Sequence, residues 1–219
     1  KILEAGVDVV RINFSHGSEE EHIDRAEKVR NRARAHGRQV GVLADLQGPK
    51  IRIEKFKKGK VILEEGDTFI LDTACGANDG DNERVGLAYK DLPKDVKRGD
   101  TQLLDDVRVV FWVNESTDTE IICRLVVGVS LSVRKGINKQ GGGLSAPALT
   151  KKDRADIKTA AKMDVDYLAV SFVRHAADVE EARKLFRDAG CKGGIVAKIE
   201  RAECLAVVDE IIDASDAIM

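Results

Sequence analysis

The sequence predicts an α/β fold, a partial (β/α)8 barrel of the TIM type carrying an inserted all-β domain. Three observations predict it. Runs apolar on both faces alternate with helical segments at either end of the chain, as in a parallel sheet covered by helices. From residue 51 to residue 143 that rhythm gives way to short alternating runs separated by turn residues. After Gly141-Gly142-Gly143 the first rhythm resumes. One β/α series interrupted and then continued places the barrel at 1–48 and 144–219 and the insertion, plausible as a small barrel of its own, at 49–143.

Each element can be justified in turn. VDVVRINF at 7–14 reads as a buried strand. Ser18 is a good N-cap, Glu19, Glu20 and Glu21 suit a first helical turn, and Ile23, Ala26 and Val29 form an apolar stripe ending near His36 and Gly37. QVGVLADL at 39–46 is the next strand. Within the insertion, KVILEEGDTFILD, RGDTQLLDD, RVVFWV and TEIICRLVV are strand-like, with no convincing helix among them. Thr150 caps a helix through 163 with Asp153 at the capping-box position, where Glu is more usual. VDYLAVSF at 165–172 is a strand, DVEEARKLFRDA a helix ended by Gly190, GIVAKIE a strand, AECLAVVDEIIDAS a helix, and DAIM the start of another strand. Lys1 has no preceding Met, ILEAG reads as the last turn of a helix already under way, and ASDAIM stops as a strand begins. The chain is therefore expected to be cut from something longer, with an unclosed barrel that is inactive and poorly soluble by itself.

Composition narrows the function classes. The 219 residues carry 36 Lys and Arg against 38 Asp and Glu, a formal net charge of -2, so no basic field argues for nucleic acid. No apolar run has the length of a membrane span. Cys75, Cys123, Cys191 and Cys204 lack C-x-x-C spacing and read as reduced thiols, metal or disulfide use being the alternative, which fits a cytoplasmic location.

In β/α barrels chemistry gathers at the C-terminal strand ends. There the first strand delivers Arg11, Asn13, Ser15 and His16; the second Asp45, followed by Lys50 and Arg52; the third Ser171, Phe172 and Arg174; the fourth Lys198 and Glu200. Lys198 and Glu200 are two apart, so a strand aims both to one side. Arg and Lys suit phosphate or carboxylate, and the carboxylates are hard ligands for Mg²⁺ or a monovalent cation. The set points to a metal-assisted site for an anionic substrate, of the kind phosphoryl transfer uses.

RINFSHG at 11–17, DLQGPKIR at 45–52, KGIN at 135–138, LSAPALTKKD at 144–153, DYLAVSF at 166–172 and KIE at 198–200 together resemble the pyruvate kinase family in its bacterial form, in order and along essentially the whole chain. The resemblance implies phosphoryl transfer from phosphoenolpyruvate to ADP, giving pyruvate and ATP in glycolysis, with the β insertion as a mobile lid domain. It implies that Lys198 neutralises the transferring phosphoryl group without being the final proton donor, that Arg11 grips the phosphate, and that Glu200 holds Mg²⁺ (or Mn²⁺). Asn13, Ser15, Asp45 and the Leu46 carbonyl match K⁺ positions; His16, Arg52 and Lys135 match nucleotide-side positions; Ser171 and Phe172 line the same pocket. The final proton donor and a second metal carboxylate belong, in the family, beyond residue 219. The family is usually tetrameric, so a homo-oligomer is expected.

The sequence departs from the family at three places. Lys50 stands where potassium-dependent members carry Glu, and a fixed ammonium there makes K⁺ dispensable. Val107 replaces a usual Gly, and GVSLSVRKGIN a more Gly-rich and Asn-containing version. Plainer readings stand beside the functional ones: a hydrogen-bonded turn for Asn13 and Ser15, a surface histidine for His16, core packing for Phe172, a solvated lysine for Lys135 and a hairpin turn for Asp105-Asp106. Two other functions compete, a Mg-dependent lyase or aldolase of phosphoenolpyruvate/pyruvate type and a non-catalytic fragment that binds ligand or partner.

Overall fold

The computed structural model describes residues 2–128 and 130–219. Lys1, and Val129 in the GVSLSVRKGIN stretch, lie outside the described residues. The chain divides into two compact units, one formed by residues 1–49 and 147–219, the other by 50–146.

The first unit begins with β1 (Val9–Asn13), α1 (Glu19–Ala35) and β2 (Gly41–Asp45). Ser18 closes a capping box with Glu21, and Gly37 ends the helix in the left-handed region at φ +62°. The buried residues of α1 are His22, Ala26 and Ala33, so the stripe predicted through Ile23 and Val29 is only flanking.

The second unit contains β3 (Lys60–Ile62), β4 (Thr68–Asp72), β5 (Arg84–Gly86), α2 (Leu92–Asp95), β6 (Thr101–Leu104), β7 (Val109–Ser116), β8 (Glu120–Val127), β9 (Ser130–Ser132) and β10 (Ile137–Lys139). Its strands form a six-stranded sheet in the order β10-β6-β7-β8-β4-β5 and a separate β3-β9 ribbon. Helix α2 corrects the expectation of no helix here: Pro93 at its start supplies a preset φ and lacks only an N–H that would be unpaired anyway. Phe69 and Phe111 stack in the core with centroids 5.4 Å apart. The β6–β7 hairpin turns through Asp105, Asp106 and Val107 at φ +49°, +54° and +69°, so Asp105-Asp106 is the predicted turn and Val107 takes the conformation a β-branched residue disfavours.

The first unit continues with α3 (Lys151–Lys162), β11 (Tyr167–Val170), α4 (Ala176–Asp188), β12 (Gly194–Ala197), α5 (Val208–Ala214) and β13 (Ala217–Ile218). The single helix expected over 202–215 is instead a 3-10 turn, Ala202–Val207, leading into α5. No side chain caps the start of that turn, and the buried Cys204 thiol reaches back 2.8 Å to the Arg201 carbonyl, a contact that competes with regular helix formation.

All pairings in this unit are parallel, in the order β1-β2-β11-β12-β13, a partial barrel. The inner strands are buried on both faces, whereas Val9 on the edge strand β1 is exposed. Two strand-start aspartates pin the register, Asp166 accepting the Val42 N–H and Asp216 the Ile195 N–H, each at 2.7 Å.

Period-2 alternation sorts the strand side chains onto two faces. Ile12, Val42, Ala44, Leu168, Val170, Ile195 and Ala197 pack with Ala26, Ile157, Ala160, Val179, Phe186 and Ile211 from the helices. Leu43, Ala169 and Val196 form a smaller cluster on the other face. Two residues on from each of these stand Asp45, Ser171 and Lys198, and Arg11 pairs with Leu43 in register.

Candidate functional site

That second face, at the strand ends, carries Arg11, Asp45, Ser171 and Lys198. Asp45 is the centre, its side chain only 2% exposed. One carboxylate oxygen, Oδ2, accepts from Arg11 Nε at 2.6 Å and lies 2.5 Å from Nη2; the other, Oδ1, lies 3.2 Å from Lys198 Nζ. Lys198 Nζ also donates to Ser171 Oγ at 2.8 Å and meets Glu200 Oε1 at 3.0 Å. An ammonium has three protons, and here each has an acceptor.

Ser171 links this cluster to the backbone. Its single hydroxyl proton goes to the Leu46 carbonyl at 2.7 Å while its oxygen receives Lys198, which leaves the 3.5 Å approach to Asp45 without a proton. Glu200 is fixed at its other oxygen, Oε2, by the Phe172 N–H at 3.1 Å. Lys198 and Glu200 are therefore neighbours held by the end of β11, and Asp45 is the counter-ion shared by both cations.

The loop after β1 is ordered locally. Asn13 Oδ1 accepts the Ser15 N–H at 2.9 Å, the turn that the plainer reading anticipates, and His16 is exposed beyond it. Behind the loop lies His22, which sequence reasoning missed: it is buried, stacks on Phe14 at 4.3 Å, and its Nδ1 has no partner. Burial, then the Arg25 charge, pushes its imidazole below its ordinary pKa, while burial raises that of the nearby Asp156 carboxyl.

Two further residues support the site. Asp153, fully buried, closes the predicted capping box with Thr150 through Oδ2, and its Oδ1 accepts the Gly48 N–H at 3.0 Å. Gly48 sits at φ +65°, where a Cβ would lie 2.9 Å from the Phe172 ring and 3.0 Å from Ser171 Cβ. The Asp in place of Glu at the capping position was the only trace of this in the sequence. Arg174, in contrast, turns away from the strand ends and binds Asp178, with Nη2 3.1 Å from Oδ1, at the start of α4.

In the second unit, Lys50 and Arg52 are exposed, and Lys135 forms an ion pair with Asp105 at 2.7 Å. Lys135 thus has a structural partner besides any ligand.

The donor sets can be compared with the expected ions. Among the described residues no three His, Cys, Asp or Glu side chains converge as a metal-binding group. Glu200, one third exposed with lone pairs to spare, fits a single ligand of Mg²⁺, which keeps most of its waters and takes one or two carboxylates. Of the residues expected to take K⁺, both Asp45 oxygens face protein cations, the Leu46 carbonyl accepts from Ser171 and Asn13 Oδ1 from Ser15, each oxygen keeping a further lone pair.

A family model described as pyruvate kinase, barrel domain, matches residues 1–219. The chain is 56% identical to pyruvate kinase II of Salmonella typhimurium and 54% identical to pyruvate kinase of Haemophilus influenzae, in each case over all of this chain and 46% of the relative. Pyruvate kinase of Corynebacterium glutamicum is 39% identical over the same shares. The chain thus spans about half the length of the curated relatives it matches. A parallel sheet with Lys198, Glu200, Arg11 and Asp45 gathered at its strand ends, and identity of this extent along all its residues, together place the chain in the pyruvate kinase family.

Proposed function

We propose that the full-length protein containing this chain transfers a phosphoryl group from phosphoenolpyruvate to ADP, giving pyruvate and ATP in glycolysis. The observation that carries this reading is the convergence of Lys198, Glu200 and Arg11 around buried Asp45 in a chain of this family. Arg11, half exposed, presents a guanidinium to the substrate phosphate while Asp45 keeps it oriented. Lys198 offers positive charge to the phosphoryl group as the bond from phosphorus to the enol oxygen breaks and one to an ADP oxygen forms. Since its three protons are engaged, it meets the substrate by exchanging one of its acceptors, and Glu200, the least buried, is the one to yield. Mg²⁺ or Mn²⁺ held by Glu200 would supply Lewis-acid neutralisation of the substrate oxygens.

His16, Arg52 and Lys135 serve the nucleotide side, Ser171 and Phe172 line the substrate pocket, and the second unit acts as a lid domain on a (β/α)8 barrel. K⁺ is dispensable, because Lys50 adds a fixed charge and Asp45 is already neutralised by Arg11 and Lys198. The protein works as a cytoplasmic homo-oligomer, a tetramer by family, without nucleic acid or membrane; no described helix is long and apolar enough to cross one.

The test is pyruvate formation by the full-length protein with phosphoenolpyruvate, ADP and Mg²⁺. ADP-dependent pyruvate is expected, with Lys198→Ala slower by roughly 10²–10³-fold, the loss typical of one electrostatic stabiliser. Carbon–carbon cleavage without nucleotide would favour the lyase reading, and neither activity the non-catalytic one. Replacing K⁺ by tetramethylammonium should leave the rate largely unchanged; a collapse would refute the K⁺ part alone.

A further inference from the structure

We propose that Phe172 is a positioning residue for Glu200, acting through its left-handed backbone rather than through its ring. The inference rests on Glu200 being the carboxylate that holds the divalent cation.

Phe172 sits at φ +58°, a region in which a residue with a bulky side chain is strained. Such strain persists only where the surroundings over-determine it. Here they do. β11 and β12 run in register to Val170 and Ala197, and the Lys198 N–H still donates to the Val170 carbonyl at 3.0 Å. Beyond that point the ladder stops, and the next donor on the β11 side, the Phe172 N–H, goes to the Glu200 side chain instead of a backbone carbonyl. Gly48 holds the corner from the other side, itself left-handed and tied to Asp153, with no room for a Cβ against Ser171 and Phe172.

The consequence for Glu200 is specific. Lys198, two residues earlier on the same strand end, draws one carboxylate oxygen to itself at 3.0 Å. All three Lys198 protons already have acceptors, so with no second anchor only one carboxylate oxygen would be held and the other would be free to turn. The Phe172 N–H holds Oε2 apart, so one oxygen stays directed away from Lys198. The left-handed turn thereby keeps a carboxylate available to a cation although an ammonium lies beside it.

The experiment measures Mn²⁺ binding to the substrate-free full-length protein by electron paramagnetic resonance, across Phe172→Gly, Phe172→Asn and Phe172→Val. Gly and Asn accept the left-handed region without the ring; Val is apolar but β-branched and resists it. Backbone positioning predicts Gly and Asn close to the unsubstituted protein and Val weaker by a few-fold, because β-branching adds to the strain that Phe already bears. Equal loss in all three means that the ring matters and overturns the inference, as does no loss in any. Replacing the Ser171–Phe172 amide by an ester removes the donor alone and decides the matter if the Val variant misfolds: unchanged Mn²⁺ affinity in the ester overturns the inference, and weakened affinity supports it. Absence of Mn²⁺ binding in the unsubstituted protein would remove the metal reading of Glu200, and the inference with it, a failure distinct from the other two.

Discussion

Replacing Asp45 by Asn tests whether this carboxylate is the counter-ion that organises the site. The side chains are nearly isosteric, so packing changes little and charge changes fully. At 3.2 Å the attraction to Lys198 is about 5 kcal/mol at an effective dielectric of 20, of which desolvation offsets part. Lys198 is 12% exposed and keeps Glu200, so roughly 2–3 kcal/mol is lost rather than the 3–5 kcal/mol of a fully stranded buried charge. Arg11 is 53% exposed, and water replaces much of what it loses, leaving no more than about 1 kcal/mol. The Asn amide nitrogen must also face one of the two cations, because both carboxylate oxygens are used. The expected total is about 2–4 kcal/mol, read as a 30- to 1,000-fold loss of amide-exchange protection in β2 and β11 of the full-length protein. A loss below about 1 kcal/mol in those strands would refute the shared counter-ion, since only solvated charges break so cheaply.

Three other outcomes follow from the same geometry. Val107→Gly, at an exposed left-handed position, should stabilise the second unit by about 1 kcal/mol, seen as a higher urea midpoint; no gain would mean that the turn stores no strain. Gly48→Ala places a methyl 2.9 Å from the Phe172 ring at a left-handed φ and should cost about 2 kcal/mol or more, with weaker Mn²⁺ binding; a neutral melt would show that the corner gives way. His22 is held neutral, its pKa below the ordinary 6.5, so the unfolded chain takes up the proton first. Its contribution is intact above about pH 6.5 and is lost as the pH falls toward the folded value. Arg25 and Lys152 favour the neutral ring while Glu21 and Asp156 oppose them, and Asp156 has its own, opposite dependence at lower pH. The difference in slope between the parent and His22→Gln isolates the imidazole, and equal slopes would clear it.

Much of this molecule is local and legible in the order of its residues. Ser18 with Glu21, Thr150 with Asp153, and Gly37 and Gly190 as helix stops are decided within a few residues, because a helix end satisfies its own backbone groups nearby. Alternation likewise predicts Lys198 and Glu200 on one side, and they meet at 3.0 Å although β12 itself ends at Ala197. What needed the tertiary structure are relations between strands that share no local chemistry. Asp45 looks like a metal ligand in sequence, and only the registers of β1, β2, β11 and β12 bring Arg11 and Lys198 to it. Arg174 looks like a site cation, yet the start of α4 captures it first through Asp178. His22 reads as a polar residue on a helix face, and its burial depends on Phe14 arriving from β1. The left-handed turn at Phe172 is the sharpest case. No propensity favours it in an aromatic residue, and it exists because Gly48, Ser171 and Glu200, distant in the chain, meet at one strand end.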